Sequence, residues 1–164
     1  MADRVELPNL RFVLDDVRNI REHGTFDAVL CAGLLYHLDR PVAFLHPLAG
    51  VTTRLLIIST TYATEDGREL DVYQLTDELV EHEGKLGRWY EEDPPGPWTA
   101  VGNRRSFWLE RRHLLQTMIE AGFPIVFEQF DGLGHVVENR IIEDRLIACF
   151  VGVKPPESES DSYD

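Results

Sequence analysis

Positive charge is scarce in this chain. Its 164 residues hold 16 Lys and Arg against 29 Asp and Glu, a formal net charge of −13. Such a field repels phosphate backbones, which makes nucleic acid a poor partner and leaves a small or neutral molecule as the better one. Cysteine is scarce as well. Cys31 and Cys149 are the only two. Both sit in apolar runs that read as buried strands, with no metal-ligand spacing around them. The pattern suggests neither a disulfide framework nor a metal site, and a reducing cytoplasm is the simplest setting. The first residues, Met1 to Glu6, are polar and charged, so they read as neither a signal peptide nor a membrane span. No Gly-x-Ser-x-Gly elbow occurs, which removes one route to a hydrolase. A Gly-x-Gly occurs at Gly132-Leu133-Gly134, in a turn and not at a strand end, so no phosphate-cradling loop is legible.

The residues present suit one domain with a core: 43% are hydrophobic and 10% aromatic. Leu10 to Val17 reads as a short strand ending in Asp15-Asp16. Phe26 to Leu35 is a stronger one, because its nearly unbroken apolar run fits a parallel strand covered on both faces. Asp39 then serves as N-cap, with Pro41 in the first turn, for a helix carrying Val42, Phe44, Leu45, Leu48 and Ala49. Leu55 to Ser59 is the next strand. Residues 64 to 107 interrupt the alternation. A helix over Leu75 to Leu86 is expected there. The stretch from Trp89 to Trp98, rich in proline and aromatics, reads as part of an ordered insertion or lid. Trp108 to Ala121 is predicted as a helix, with Gly122 as its C′ residue. Phe123 to Phe130 and Arg145 to Val153 close the chain as strands, most cheaply as an antiparallel hairpin. These elements make residues 1–154 one α/β unit. Residues 155–164, Pro-Pro-Glu-Ser-Glu-Ser-Asp-Ser-Tyr-Asp, read as a disordered acidic tail.

The segment Phe26-Asp27-Ala28-Val29-Leu30-Cys31-Ala32-Gly33-Leu34-Leu35-Tyr36-His37-Leu38-Asp39-Arg40-Pro41 resembles the fourth-strand motif of class I S-adenosylmethionine (SAM) dependent methyltransferases. The similarity is greatest to members with a Leu-Tyr-His-Leu element after that strand. The helix, the Leu-Leu-Ile-Ile strand, the insertion, the helix ending Glu120-Ala121-Gly122-Phe123 and the two last strands follow in the family's order. The resemblance covers about residues 8 to 154. It implies a Rossmann-like, mostly parallel sheet with a terminal antiparallel hairpin, SAM as cofactor, and methyl transfer to a small-molecule acceptor.

Site residues follow from the same resemblance. Asp16, with Val17 beside it, stands where the family meets the adenine amino group, although a turn or helix-cap aspartate reads the same way. Cys31, Ala32 and Gly33 would line the cofactor's amino-acid end, at the strand mouth where open α/β sheets bind ligands. Tyr36 and His37 follow as catalytic candidates, His37 because its ordinary pKa lies near neutrality. Trp89, Tyr90, Trp98, Arg105, Ser106 and Trp108 in the insertion are candidates for acceptor contacts, or a small satellite core. His135 is a loop histidine of less promise.

The family's opening βαβ unit, with its glycine-rich turn and ribose-binding acid, has no counterpart in this sequence. The link from Arg18 to Thr25 is too short for a parallel crossover between neighbouring strands. Extended, eight residues reach roughly 26 Å, enough to skip two strands at about 4.8 Å spacing. Phe26 to Leu35 is therefore expected to show a free edge, open to self-association or a complementing polypeptide. Three functions remain: a partial methyltransferase, an inactive or split methyltransferase-like binding module, and a hydrolase using Cys31 or His37.

Overall fold

The computed structural model describes residues 9–71, 73–92, 100, 102–129, 136–137, 140–141 and 147–156. The expected tail from Glu157 onward, together with Trp98 and His135, lies outside the described residues. Strand β1, Phe26–Ala32, stops at Gly33, whose φ of 65° turns the chain out of the sheet. The strand is thus shorter than the apolar run that suggested Leu35 as its end. Leu35–His37 form a 3₁₀ turn instead, anchored by buried Leu35. Helix α1, Pro41–Val51, follows, and strand β2, Thr52–Thr61, returns parallel to β1. Phe44, Leu45, Leu48 and Ala49 bury one face of α1 against Leu56 and Ile58 of β2.

The insertion is a sheet of its own, and here the structure corrects the sequence reading. The expected helix over Leu75 to Leu86 is absent. In its place β3, Val80–His82, and β4, Lys85–Glu91, form a hairpin. Its two-residue turn, Glu83-Gly84, has φ of 53° and 74°, the twist that matches flanking strands. Strand β5, Arg105–Leu109, completes the antiparallel sheet. Trp108 therefore belongs to a strand, and helix α2 begins later, at Arg111, and runs to Glu120. Glu110 caps α2, its carboxylate accepting from the amides of Arg112 and His113. Gly122, with φ of 105°, ends the helix as expected.

Strands β6, Ile125–Gln129, and β9, Ile147–Val153, are the expected antiparallel pair. The short β7, Val136–Val137, and β8, Arg140–Ile141, pair between them. The main sheet runs β1-β2-β9-β6, so β9 lies between β2 and β6 and antiparallel to both. Three of the four strands hence share a direction. Strand β1 is an edge among the described residues, and Leu30 on it is 67% exposed.

The strand expected over Leu10 to Val17 does not form. Residues 10–16 carry no strand, and Val17–His23 is a 3₁₀ helix capped by Asp16. Phe12 and Leu14 stand in solvent, and among the described residues no strand pairs with this segment. The first turn of α1 is also capped differently. Its N-cap is Arg40, not Asp39, and the Glu83 carboxylate accepts from the amides of Val42 and Ala43 at 3.1 and 3.2 Å.

Candidate active site

The carboxyl end of β1 opens into a polar cluster that joins the main sheet to the insertion. Gly33 is exposed, its amide donates to the Ser59 carbonyl, and a Cβ there would meet only the Tyr36 hydroxyl, at 3.8 Å. Beyond it, four successive carbonyls each accept a hydrogen bond from the insertion. The Trp108 Nε1 donates to Tyr36 O at 2.9 Å, and Asn103 Nδ2 to His37 O at 3.0 Å. The Phe107 amide donates to Leu38 O at 2.9 Å, and His82 Nε2 meets Asp39 O at 3.0 Å. A carbonyl only accepts, so Nε2 of His82 carries the proton.

His37 is held by its side chain as well. Its Nδ1 lies 3.2 Å from Oε1 of Glu92, whose side chain is 3% exposed. Ser106 Oγ donates to the same oxygen at 2.5 Å, and the Ala100 amide to Oε2 at 3.1 Å. A carboxylate accepts and does not donate, so Nδ1 carries a proton, and in the neutral imidazole Nε2 is the nitrogen with the free lone pair. That is the arrangement of a base oriented by a buried acid. The Tyr36 ring lies 4.2 Å from the His37 ring. Burial raises the Tyr36 pKa, and Tyr73 and Glu92 add to the rise, so Tyr36 remains a phenol able to donate a hydrogen bond. Burial pushes the Cys31 thiol up to about 11, which leaves it a poor nucleophile near neutrality.

The other insertion candidates surround this cluster from behind. Tyr90 stacks on Trp108 with centroids 5.3 Å apart, and Tyr73 meets Trp108 edge-on at 4.9 Å. The Arg105 guanidinium lies 4.4 Å over the Trp89 ring. Trp108 and Ser106 are buried, so in this conformation they support Tyr36 and Glu92 from within. Tyr36, His37, Ser106 and Trp108 are thus brought together, with Tyr90 stacked on Trp108.

Asp16 and Val17 stand elsewhere. The Asp16 carboxylate accepts from Arg18 N, Nε and Nη2, at 2.9, 2.9 and 2.6 Å. These bonds lower its pKa to about 2. Both residues line an open cleft of about 370 Å³ with Arg11, Ile20, His23 and Phe26, and Cys31 to Gly33 do not line it. Glu92, Asn103, His82 and Glu83 escaped the sequence reading. Glu92 sits in an acidic run, Glu91-Glu92-Asp93, that looks like a solvated surface, and no spacing links it to His37. Among the described residues no cluster of His, Cys, Asp or Glu could hold a metal, and no helix is long and apolar enough to cross a membrane.

Comparison with known proteins agrees on the fold. No family model and no curated protein matches the chain. Among solved structures, the N-terminal domain of EvdMO1 with SAH bound superposes with a TM-score of 0.59 and 26% identity, over 87% of this chain and 53% of that one. The same domain in the presence of SAH and D-fucose gives the same score and identity over 86% and 53%. An O-methyltransferase family protein from Burkholderia thailandensis matches at 0.55 and 15% identity, over 88% and 35%. The chain spans about half the length of the EvdMO1 domain. Over most of its own length, it has the α/β fold of these SAH-bound and O-methyltransferase structures.

Proposed function

We propose that this chain forms the acceptor-side part of a SAM-dependent O-methyltransferase domain, and that it methylates a hydroxyl of a small molecule. The observation that carries the reading is the His37–Glu92 pair at the carboxyl end of β1, beside exposed Gly33. The fold likeness to an SAH-bound domain supports it. SAH is the demethylated product of SAM, and SAM supplies the electrophilic methyl group. His37 Nε2 takes the proton of the acceptor hydroxyl, Glu92 holds the imidazole in the required tautomer, and the Tyr36 phenol donates to the acceptor oxygen. Most of the rate comes from holding the hydroxyl in line.

The residues present fit the cofactor in part. Cys31, Ala32 and Gly33 suit its amino-acid end, because Gly33 lets the backbone come close without a Cβ. Asp16 would reach the adenine only by giving up its bonds to Arg18. The D-fucose included with the EvdMO1 domain makes a sugar hydroxyl a reasonable acceptor class for this chain. We take residues 1–154 as part of such a domain, with 64–107 as its insertion. The free edge of β1 then receives a complementary α/β segment that supplies the rest of the cofactor site, or a second copy of the chain.

Isothermal titration with SAH tests the reading, first on the chain alone and then with a glycine-rich βαβ polypeptide added. Binding in either case, with transfer of a labelled methyl from SAM to a sugar panel that is lost in His37→Ala, supports it. Failure to bind SAH in both cases would overturn the enzyme reading and leave a binding module.

A further inference from the structure

The insertion's grip on the turn after β1 has a feature that stability alone does not require. The carbonyls of Tyr36, His37, Leu38 and Asp39 are taken in sequence order by Trp108, Asn103, Phe107 and His82. Two of these donors are backbone or buried-core groups: the Phe107 amide, and the indole of a residue 2% exposed. The other two are polar side chains committed to the task. Asn103 Nδ2 bridges His37 O and Arg105 O, at 3.0 and 2.9 Å. His82 is wedged between Trp89 and Phe107, at centroid distances of 4.7 and 5.0 Å, and presents Nε2 to Asp39 O. Next to it in the turn, Glu83 accepts from the amides of Val42 and Ala43. The segment from Tyr36 to Ala43 is thereby tied at both ends to one small sheet, and Glu92, the residue after β4, is held beside that sheet by its amide's bond to the Arg104 carbonyl.

We propose that Asn103 and His82 are positioning residues for His37. They fix the backbone of the Tyr36–Asp39 turn against the insertion, so that the His37 ring meets Glu92 and keeps its proton on Nδ1. The inference rests on the role proposed for His37 only in giving that tautomer a chemical use. The ring geometry itself is independent of it. The 3.2 Å bond between His37 and Glu92 spans two segments that are 55 residues apart in sequence. Such a bond holds its length only if both backbones are fixed to each other, and the Asn103 bond falls on His37 itself while the His82 bond falls two residues on, at Asp39.

Long-range proton–nitrogen spectra of the histidine rings in the full chain test this directly and need neither SAM nor acceptor. The wild type is expected to show His37 with its proton on Nδ1. Asn103→Ala should move the His37 population toward the Nε2–H tautomer that free imidazole side chains prefer. His82→Phe, which keeps the ring wedge but loses the donor, should move it in the same direction, and His82→Gln, which keeps an N–H donor, should restore it. A purely structural role would lower the melting temperature without this tautomer shift. If one variant does not fold, the other decides. Retention of Nδ1–H by His37 in Asn103→Ala, His82→Phe and the double variant would overturn the proposal. Undiminished methyl transfer in a variant that shows the tautomer shift would instead count against the proposed function alone.

Discussion

Glu92 Oε1 stands 3.2 Å from His37 Nδ1 and is shared with the Ser106 hydroxyl at 2.5 Å, so one buried oxygen links the insertion to the end of β1. The contact joins residues that neither composition nor spacing connects. It also makes Glu92 the residue whose loss should separate folding from chemistry.

Glu92→Gln keeps the shape of the side chain but presents an amide where three donors now point. If the proposed methyl transfer holds, kcat should fall by about 10² or more, within the range usual for general-base catalysis. Binding of SAH should change little. A steady-state assay beside SAH titration checks both. Unchanged kcat would remove His37 from the role of base.

A second buried pair governs the stability of the insertion. Glu69 and Arg88, 0% and 4% exposed at their side chains, meet at 2.8 Å. Glu69 also accepts from Thr64, and Arg88 donates to the carbonyls of Thr64, Thr76 and Asp77. Glu69→Ala leaves the guanidinium buried without its counter-charge and should cost about 3–5 kcal/mol. Glu69→Leu combined with Arg88→Met should cost less than the single change. Chemical denaturation of the three proteins measures the difference.

Gly87 has no room for a side chain. A Cβ there would press on the Trp108 carbonyl oxygen and lie 2.6 Å from Cε1 of Phe107. Gly87→Ala should therefore destabilise by roughly 1–3 kcal/mol, as overpacking does, seen as a lower thermal midpoint. A neutral effect would mean that β4 and β5 can part without cost.

Acid should weaken the fold through carboxylates that are easier to ionise when folded. Asp16 is lowered to about 2 by its bonds to Arg18, Asp15 is lowered by Asn19 and His23, and Glu120 by Lys85. A depressed folded pKa stabilises above the unfolded value and is lost as pH falls through the folded one. These contributions should be complete above about pH 4.5 and fade toward pH 2, the Asp16 part last. All three groups are exposed, so added salt should shrink the effect. Thermal midpoints across that range, at two ionic strengths, check it.

The free edge of β1 can be tested without any ligand. Leu30 is 67% exposed and Phe26 39%, and an open apolar edge strand invites pairing. Leu30→Lys should lower the apparent mass of the chain at high concentration in sedimentation or light scattering. A wild type that stays monomeric throughout would contradict the proposed self-association.

The sequence alone determined the elements whose signals are local. The apolar runs over 26–35 and 145–153 read as strands and form them at 26–32 and 147–153, although β1, expected to be covered on both faces, buries only Cys31; Pro41 opened a helix, and Gly122 closed one. The order of those elements pointed to the fold, and the family resemblance, with their place after a strand end where ligands of open sheets bind, made Tyr36 and His37 candidates. What it misread were segments whose state depends on partners. Leu10 to Val17 has a strand's composition, yet among the described residues no strand pairs with it. Leu75 to Leu86 has a helix's composition, but the Glu83-Gly84 turn and the pairing of β3 with β4 draw its second half into a sheet. Only the tertiary structure decided the site itself. Glu92, Asn103 and His82 are distant in sequence from His37 and its turn, and only the docking of the insertion sheet brings their side chains onto it.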